Sequence, residues 1–183
     1  YWGIVGWTKD HRKVDDGFRD LKPFGSTALH DALDHAARDL ASHGEGRRAV
    51  VVITDGVDTS SRETADAVIA RSRALDVPIY AVSVVAPIDD PKTEVFTGRN
   101  RNTIVGTGRA LLEKYASLSG GAAFVVSDFA GLKKAADLIA LEFRHQYRLG
   151  YDPPEGPARF RRVEVRATRK GVLVRTRSGY VPS

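Results

Sequence analysis

The chain of 183 residues contains no cysteine and no methionine. Without cysteine there is no disulfide, no thiolate metal site, no thiol nucleophile and no thiol redox chemistry. Without methionine, Tyr1 is not the product of a start codon, and the expectation is that sequence upstream of it has been lost. A signal peptide or N-terminal lipid anchor is for that reason unreadable here. No apolar run approaches the ~18 residues of a membrane span. A P-loop and a Gly-x-Ser-x-Gly elbow are also lacking, and no carboxylate pair stands beside a plausible nucleophile. The five histidines (His11, His30, His35, His43 and His145) offer no clean i, i+4 metal pair. These absences argue against an enzyme.

What is present describes one soluble globular domain, with 42% hydrophobic and 28% charged residues. A chain of this length buries about 70% of its unfolded surface without staples. The net charge of +5 is unevenly placed: residues 144–177 hold ten Arg and Lys against Asp152, Glu155 and Glu164. The basic character therefore belongs to the tail. That weakens any argument for nucleic-acid binding from the charge of the whole chain.

The apolar run Trp2–Thr8 reads as a buried strand, and Lys9–Lys22 as a strand edge followed by a connection. Pro23 to Thr27 carries turn and helix-start chemistry, with Asp31 near the positive helix end. Leu29, Leu33, Ala36, Ala37 and Leu40 then repeat at helical spacing. Ala49–Thr54 is an unbroken, largely β-branched run, as expected of a strand covered on both faces. Ser60 and Glu63 stand in capping-box spacing before a helix whose stripe is Ala65, Val68, Ile69, Ser72 and Leu75. Pro78–Val85 is a further buried strand, and the strand–helix–strand pitch predicts a parallel sheet.

Ala86–Gly108 lacks periodicity and reads as a long loop, with Gly106-Thr107-Gly108 as punctuation before a helix at about Arg109–Leu118. A short strand Ala122–Val126 and a helix ending near Arg144 follow. From Gln146 the pattern changes to period two, with Arg169-Lys170-Gly171 as a turn. The expected architecture is a Rossmann-like αβα sandwich with a mostly parallel sheet over residues 1–145. A small antiparallel β extension, residues 146–183, is expected to pack on it.

Ligands of open α/β sheets bind beyond the carboxyl ends of the strands. Asp55 follows such a strand, and Thr27 opens a helix close before it. A carboxylate and a hydroxyl from neighbouring loops are hard oxygen donors suited to Mg²⁺ or Mn²⁺ and not to zinc. In the competing reading Thr27 caps its helix and Asp55 binds backbone amides in a turn.

At these residues the chain resembles a known family. Gly25-Ser26-Thr27-Ala28-Leu29 with Asp31-Ala32-Leu33, and Val51 through Ser61, are similar to segments of von Willebrand factor type A domains of the bacterial, acidobacterial-type subgroup. Val77-Pro78-Ile79-Tyr80, Ser119 through Phe124, Gln146 through Pro153 and Arg177-Ser178-Gly179-Tyr180 follow in the same order. The resemblance implies a non-enzymatic, adhesion-type module that holds a divalent ion and binds an acidic side chain of a protein partner. It implies an extracytoplasmic setting as well.

In the family the ion is held by an Asp-x-Ser-x-Ser motif after a central strand, a Thr and a further Asp; Thr27 and Asp55 match the last two. The first motif is not in this chain, and Asp58-Thr59-Ser60-Ser61-Arg62 is neither the right string nor in the right place. The site is therefore expected to be incomplete, and the sheet to lack a strand between Trp2–Thr8 and Ala49–Thr54. Two other readings compete. The arginine-rich tail could bind nucleic acid or an anionic surface, or the domain could serve as a metal-free scaffold.

Overall fold

A computed structural model describes residues 3–19, 21, 25–43, 46–85, 99–147, 149–154, 156–157 and 159–181, with backbone alone for 99–107. Three parallel strands form the main sheet: β1 (Val50–Thr54), β2 (Ile79–Val84) and β3 (Ala123–Val126). They lie in the order β1-β2-β3, with Val52 opposite Ala81 and Val82 opposite Phe124. The central strand β2 is buried on both faces until its last residue. Its alternating side chains feed two separate cores, which is why the run Ile79 to Val82 is apolar without interruption.

On one face Ile79 and Ala81 meet α2 (Leu29–Ser42), α3 (Ala65–Ala74) and the C-terminal half of α4 (Arg99–Ser119). Leu29, Leu33, Val68, Ile69, Leu112 and Tyr115 fill that core. Each such side chain contributes about 1.5–3 kcal/mol by leaving water. On the other face Tyr80 and Val82 pack with Val126 against Ala135 and Ile139 of α5 (Phe129–Arg144). The result is the expected three-layer αβα arrangement.

Helices α2 and α3 are joined by charge as well as by apolar contact. Asp34, buried on α2, pairs with Arg38 at 2.8 Å and with Arg71 of α3. Ser72 is fully buried and donates to the Val77 carbonyl, closing the turn into β2.

Several expectations are corrected. Gly3–Thr8 form no strand, and Trp2 lies outside the described residues. Trp7 instead lies against the end of α2, donating to Asp39 at 3.0 Å and stacking near His43. The polar stretch read as a strand edge contains helix α1 (His11–Arg19), whose start is held by the Asp10 carboxylate accepting from the Arg12 amide. No residue of α1 is buried, although Val14 and Phe18 stand one helical turn apart on it.

Residues 86–98 of the expected long loop lie outside the described residues, but 99–108 are helical and belong to α4. Thus Gly106-Thr107-Gly108 lies inside a helix and not before one. The cap of α3 is Thr64, which accepts from the Ala67 amide at 3.3 Å, in place of the Ser60–Glu63 box.

β1 is not covered on both faces. Its residues alternate between half-buried and exposed, and Val51 and Ile53 are 50% and 54% accessible. Helix α5 touches β2 and β3 but not β1 to a comparable degree, which leaves this face of β1 bare. Among the described residues no strand pairs with the outer edge of β1.

In the tail the period-two pattern yields only β4 (Arg161–Arg162) and β5 (Gly179–Tyr180), paired antiparallel. Tyr147, residues 149–151 and the arms 163–167 and 172–174 are not strands. The predicted turn at Arg169-Lys170-Gly171 is present, with Gly171 at φ +78°, a conformation glycine adopts without steric cost.

Candidate functional site

The carboxyl end of β1 and the start of α2 meet through one pair of loops. β1 ends at Thr54, whose hydroxyl accepts from the Gly56 amide at 3.1 Å. Asp55 is exposed, and its Oδ1 accepts from the Val57 amide at 3.0 Å. Its second oxygen has no partner among the described residues. Gly56 stands at φ +83°, and a Cβ there would lie 2.8 Å from the backbone of Gly108 on α4. The turn is therefore seated directly on that helix, with no room for a side chain between them.

Thr27 is tied to the same loop through its backbone. Its amide donates to the Thr59 hydroxyl at 2.8 Å, and its carbonyl accepts from the amides of Thr59 (2.8 Å) and Ser60 (3.1 Å). The Thr27 side chain is exposed, and its hydroxyl makes no hydrogen bond among the described residues. Thr27 does not cap α2. Asp55, by contrast, does bind a turn amide, though with only one of its two oxygens.

The cap of α2 comes from across the gap. Ala28 occupies the N-cap position and has no side chain to offer. Asp58 accepts from the Leu29 amide at 2.7 Å, and Ser61 from the amides of His30 (2.9 Å) and Asp31 (3.2 Å). Asp31 returns the contact, accepting from the amides of Arg62 (3.0 Å) and Glu63 (2.8 Å). Those amides hold the Asp31 carboxyl below the ordinary carboxylate range. Burial opposes ionisation of Asp58. Hydrogen bonds from the Ser61 hydroxyl and from the amides of Ser61, His30 and Leu29 outweigh it, so that carboxyl is also lowered.

Below this latch the His30 Nδ1 meets the hydroxyl of buried Tyr115 at 2.8 Å, joining α2 to α4. Burial, with the charges of Asp58 and Asp66 adding to it, pushes the Tyr115 phenol far above its ordinary value, so it remains a neutral hydroxyl.

In the sequence Asp58 to Ser61 resembles a misplaced metal string; in the structure it caps a helix that its own sequence leaves uncapped. The available signal was Ala28, a poor N-cap residue, ahead of a strong helical stripe.

Asp31 and Asp58 are thus spent on backbone amides, whereas Asp55 and Thr27 each present an oxygen that no described residue uses. These are hard donors, right in kind for Mg²⁺ or Mn²⁺. Two fall short in number of the six that such an ion takes. Among the described residues no group of three acidic or imidazole side chains could hold a metal.

The sequence profile of the von Willebrand factor type A domain matches residues 9–137. The chain belongs to the von Willebrand factor type A family. Type A domains are in general protein-interaction modules, and the matched span includes both Thr27 and Asp55.

The fold is similar to that of an aerotolerance-related membrane protein from Bacteroides fragilis NCTC 9343, solved with multiple mutations to serines. The TM-score is 0.56 at 21% identity, over 76% of this chain and 71% of that one. It is also similar to the conserved hypothetical protein BatB from Bacteroides thetaiotaomicron. There the TM-score is 0.53 at 18% identity, over 76% and 72% of the two chains. No curated protein sequence matches the chain. No helix among the described residues is long and apolar enough to cross a membrane.

Proposed function

We propose that this type A domain is a non-enzymatic module that binds a protein partner at the face built from the β1–α3 loop and the start of α2. In this reading Asp55 and Thr27 contribute two oxygens to a Mg²⁺ or Mn²⁺ ion. An acidic side chain of the partner, water, and donors from outside the described residues complete the shell. The observation that carries the reading is the division of labour among four neighbouring oxygen-bearing side chains. Asp31 and Asp58 are saturated by backbone amides, while Asp55 and Thr27 stand on loops clamped together and keep free oxygens.

A site that is one carboxylate short of neutralising its ion keeps a residual positive charge, which favours capture of a partner carboxylate. The bare edge and face of β1 are compatible with a further strand, carrying the remaining donors, lying beside Asp55. We place the domain outside the cytoplasm, in keeping with its similarity to an aerotolerance-related membrane protein of Bacteroides fragilis.

Titration calorimetry of the chain with Mn²⁺ tests the ion directly. Weak binding that disappears in Asp55→Ala and weakens in Thr27→Ala is the expected result. Equal heats from the wild type and Asp55→Ala would remove Asp55 from the site. A partner retained equally well in EDTA would remove the metal from the mechanism.

A further inference from the structure

The arginine-rich tail carries a feature that partner binding at the loop face does not use. Residues 163–165 and 174–176 run back to the body as two arms, and Val163, Val165 and Val174 line a cleft with Ala116, Gly120 and Ala122. The arms are braced at their base. Arg175 pairs with Glu142, Arg177 lies 3.4 Å from Asp76 and donates to the Arg73 carbonyl at 3.1 Å, and Ser178 donates to the Leu118 carbonyl at 3.3 Å.

Beyond this base the chain turns at Gly171 and presents two kinds of side chain to solvent. Arg169 and Lys170 are exposed, with no ion-pair partner among the described residues. Past Gly171, Val172 and Leu173 are 49% and 76% accessible, although neither serves the core.

An exposed leucine alone is ordinary. A valine and a leucine just past a glycine turn, after two exposed cations without an ion-pair partner among the described residues, form a local arrangement with one matching surface. A bilayer with anionic headgroups offers negative charge at the level of Arg169 and Lys170 and apolar depth just below it for Val172 and Leu173. Nucleic acid would match the charge but not the apolar tip. No aromatic stands in the turn for base stacking. We infer that the Arg169–Leu173 turn is a membrane-surface contact that docks this domain on an anionic lipid bilayer.

The test is flotation of the 183-residue chain with vesicles of phosphatidylcholine alone or with about one-third phosphatidylglycerol. Binding is expected with the anionic vesicles only, and it should fall steeply as salt is raised to about 0.5 M. The charge-neutral change Val172→Ser with Leu173→Ser should weaken it about tenfold. Arg169→Gln with Lys170→Gln should weaken it about tenfold or more. All four side chains are solvent-exposed, so far-UV circular dichroism should be unchanged in both variants.

Three results would overturn the inference. One is no flotation of the folded wild type. A second is flotation indifferent to Val172→Ser with Leu173→Ser, which would mean charge without insertion. The third is retention on duplex DNA, abolished by Arg169→Gln with Lys170→Gln, in a chain that ignores the vesicles.

Discussion

Every helix starts with backbone N–H groups that have no partner within the helix, and at α2 this need is met from 30 residues away along the chain. Asp58 and Ser61 accept from the first amides of α2, while Asp31 in its first turn accepts from the amides of Arg62 and Glu63. The exchange also places the two carboxylates near the positive end of the helix dipole. Replacing Asp58 by Ala is therefore expected to cost about 1–2 kcal/mol, the range for a lost cap with a charged acceptor, measured by denaturant unfolding.

The pH dependence has a definite sign. Both carboxyls are lowered in the folded state, so the stability they contribute is complete above the ordinary carboxylate value. It is lost as pH falls through the lowered one. As pH falls below about 4 the amides of Leu29 and His30 should lose hydrogen-exchange protection before those of β2. Asp58→Ala should flatten that difference. If protection at Leu29 and β2 falls together in the wild type, the latch is not an independent acid-sensitive unit.

At the scale of elements, the loop after β1 and helix α4 meet glycine to glycine. A Cβ on Gly108 would lie 2.7 Å from the Gly56 carbonyl oxygen, and a Cβ on Gly56 would strike Gly108 in turn. Alanine inside a helix is ordinarily better than glycine by about 1 kcal/mol. Here the lost contact geometry should outweigh that gain, and Gly108→Ala is expected to destabilise the chain by about 2 kcal/mol. A melting temperature that rises on this substitution would show that loop and helix do not touch in solution.

The same glycine shows where sequence reading stopped. Between Gly106 and Gly108 the local composition reads as punctuation, yet the segment is helical because its neighbours, not its propensity, decide. The strands β1, β2 and β3 and the helices α2, α3 and α5 were legible because each buries a continuous run or a regular stripe. Helix α1 was not, since it buries nothing, although Val14 and Phe18 do follow helical spacing. Asp55 and Thr27 were legible as oxygen donors after a strand and before a helix. The latch of Asp58 and Ser61 was not, because a cap supplied across 30 residues leaves no local spacing to find.

On the scale of the whole molecule the sheet leaves an apolar edge open at β1. At β1 the backbone of the outer edge is unpaired among the described residues. Beside it Ala49, Val51 and Ile53 face Leu132, Ala136, Ile139 and Phe143 across an open apolar groove of about 360 Å³. Natural sheets blunt such edges with charge, proline or a covering element, and β1 carries none of these along Val50–Thr54. The chain studied by itself is therefore expected to bind an apolar dye and to self-associate as its concentration rises.

Ile53→Lys should suppress both, as read by dye fluorescence and light scattering. Its effect on stability should stay within about 0.5 kcal/mol, because the side chain is already more than half exposed. The same substitution gives a second reading in any longer form of the protein. Where further sequence covers this edge, dye binding should be low from the start, and Ile53→Lys should destabilise the fold by burying a charge. Suppressed association in this chain together with lost stability in a longer one would identify the β1 edge as the seat of a further strand. An Ile53→Lys variant that scatters as strongly as the wild type would place the sticky surface elsewhere.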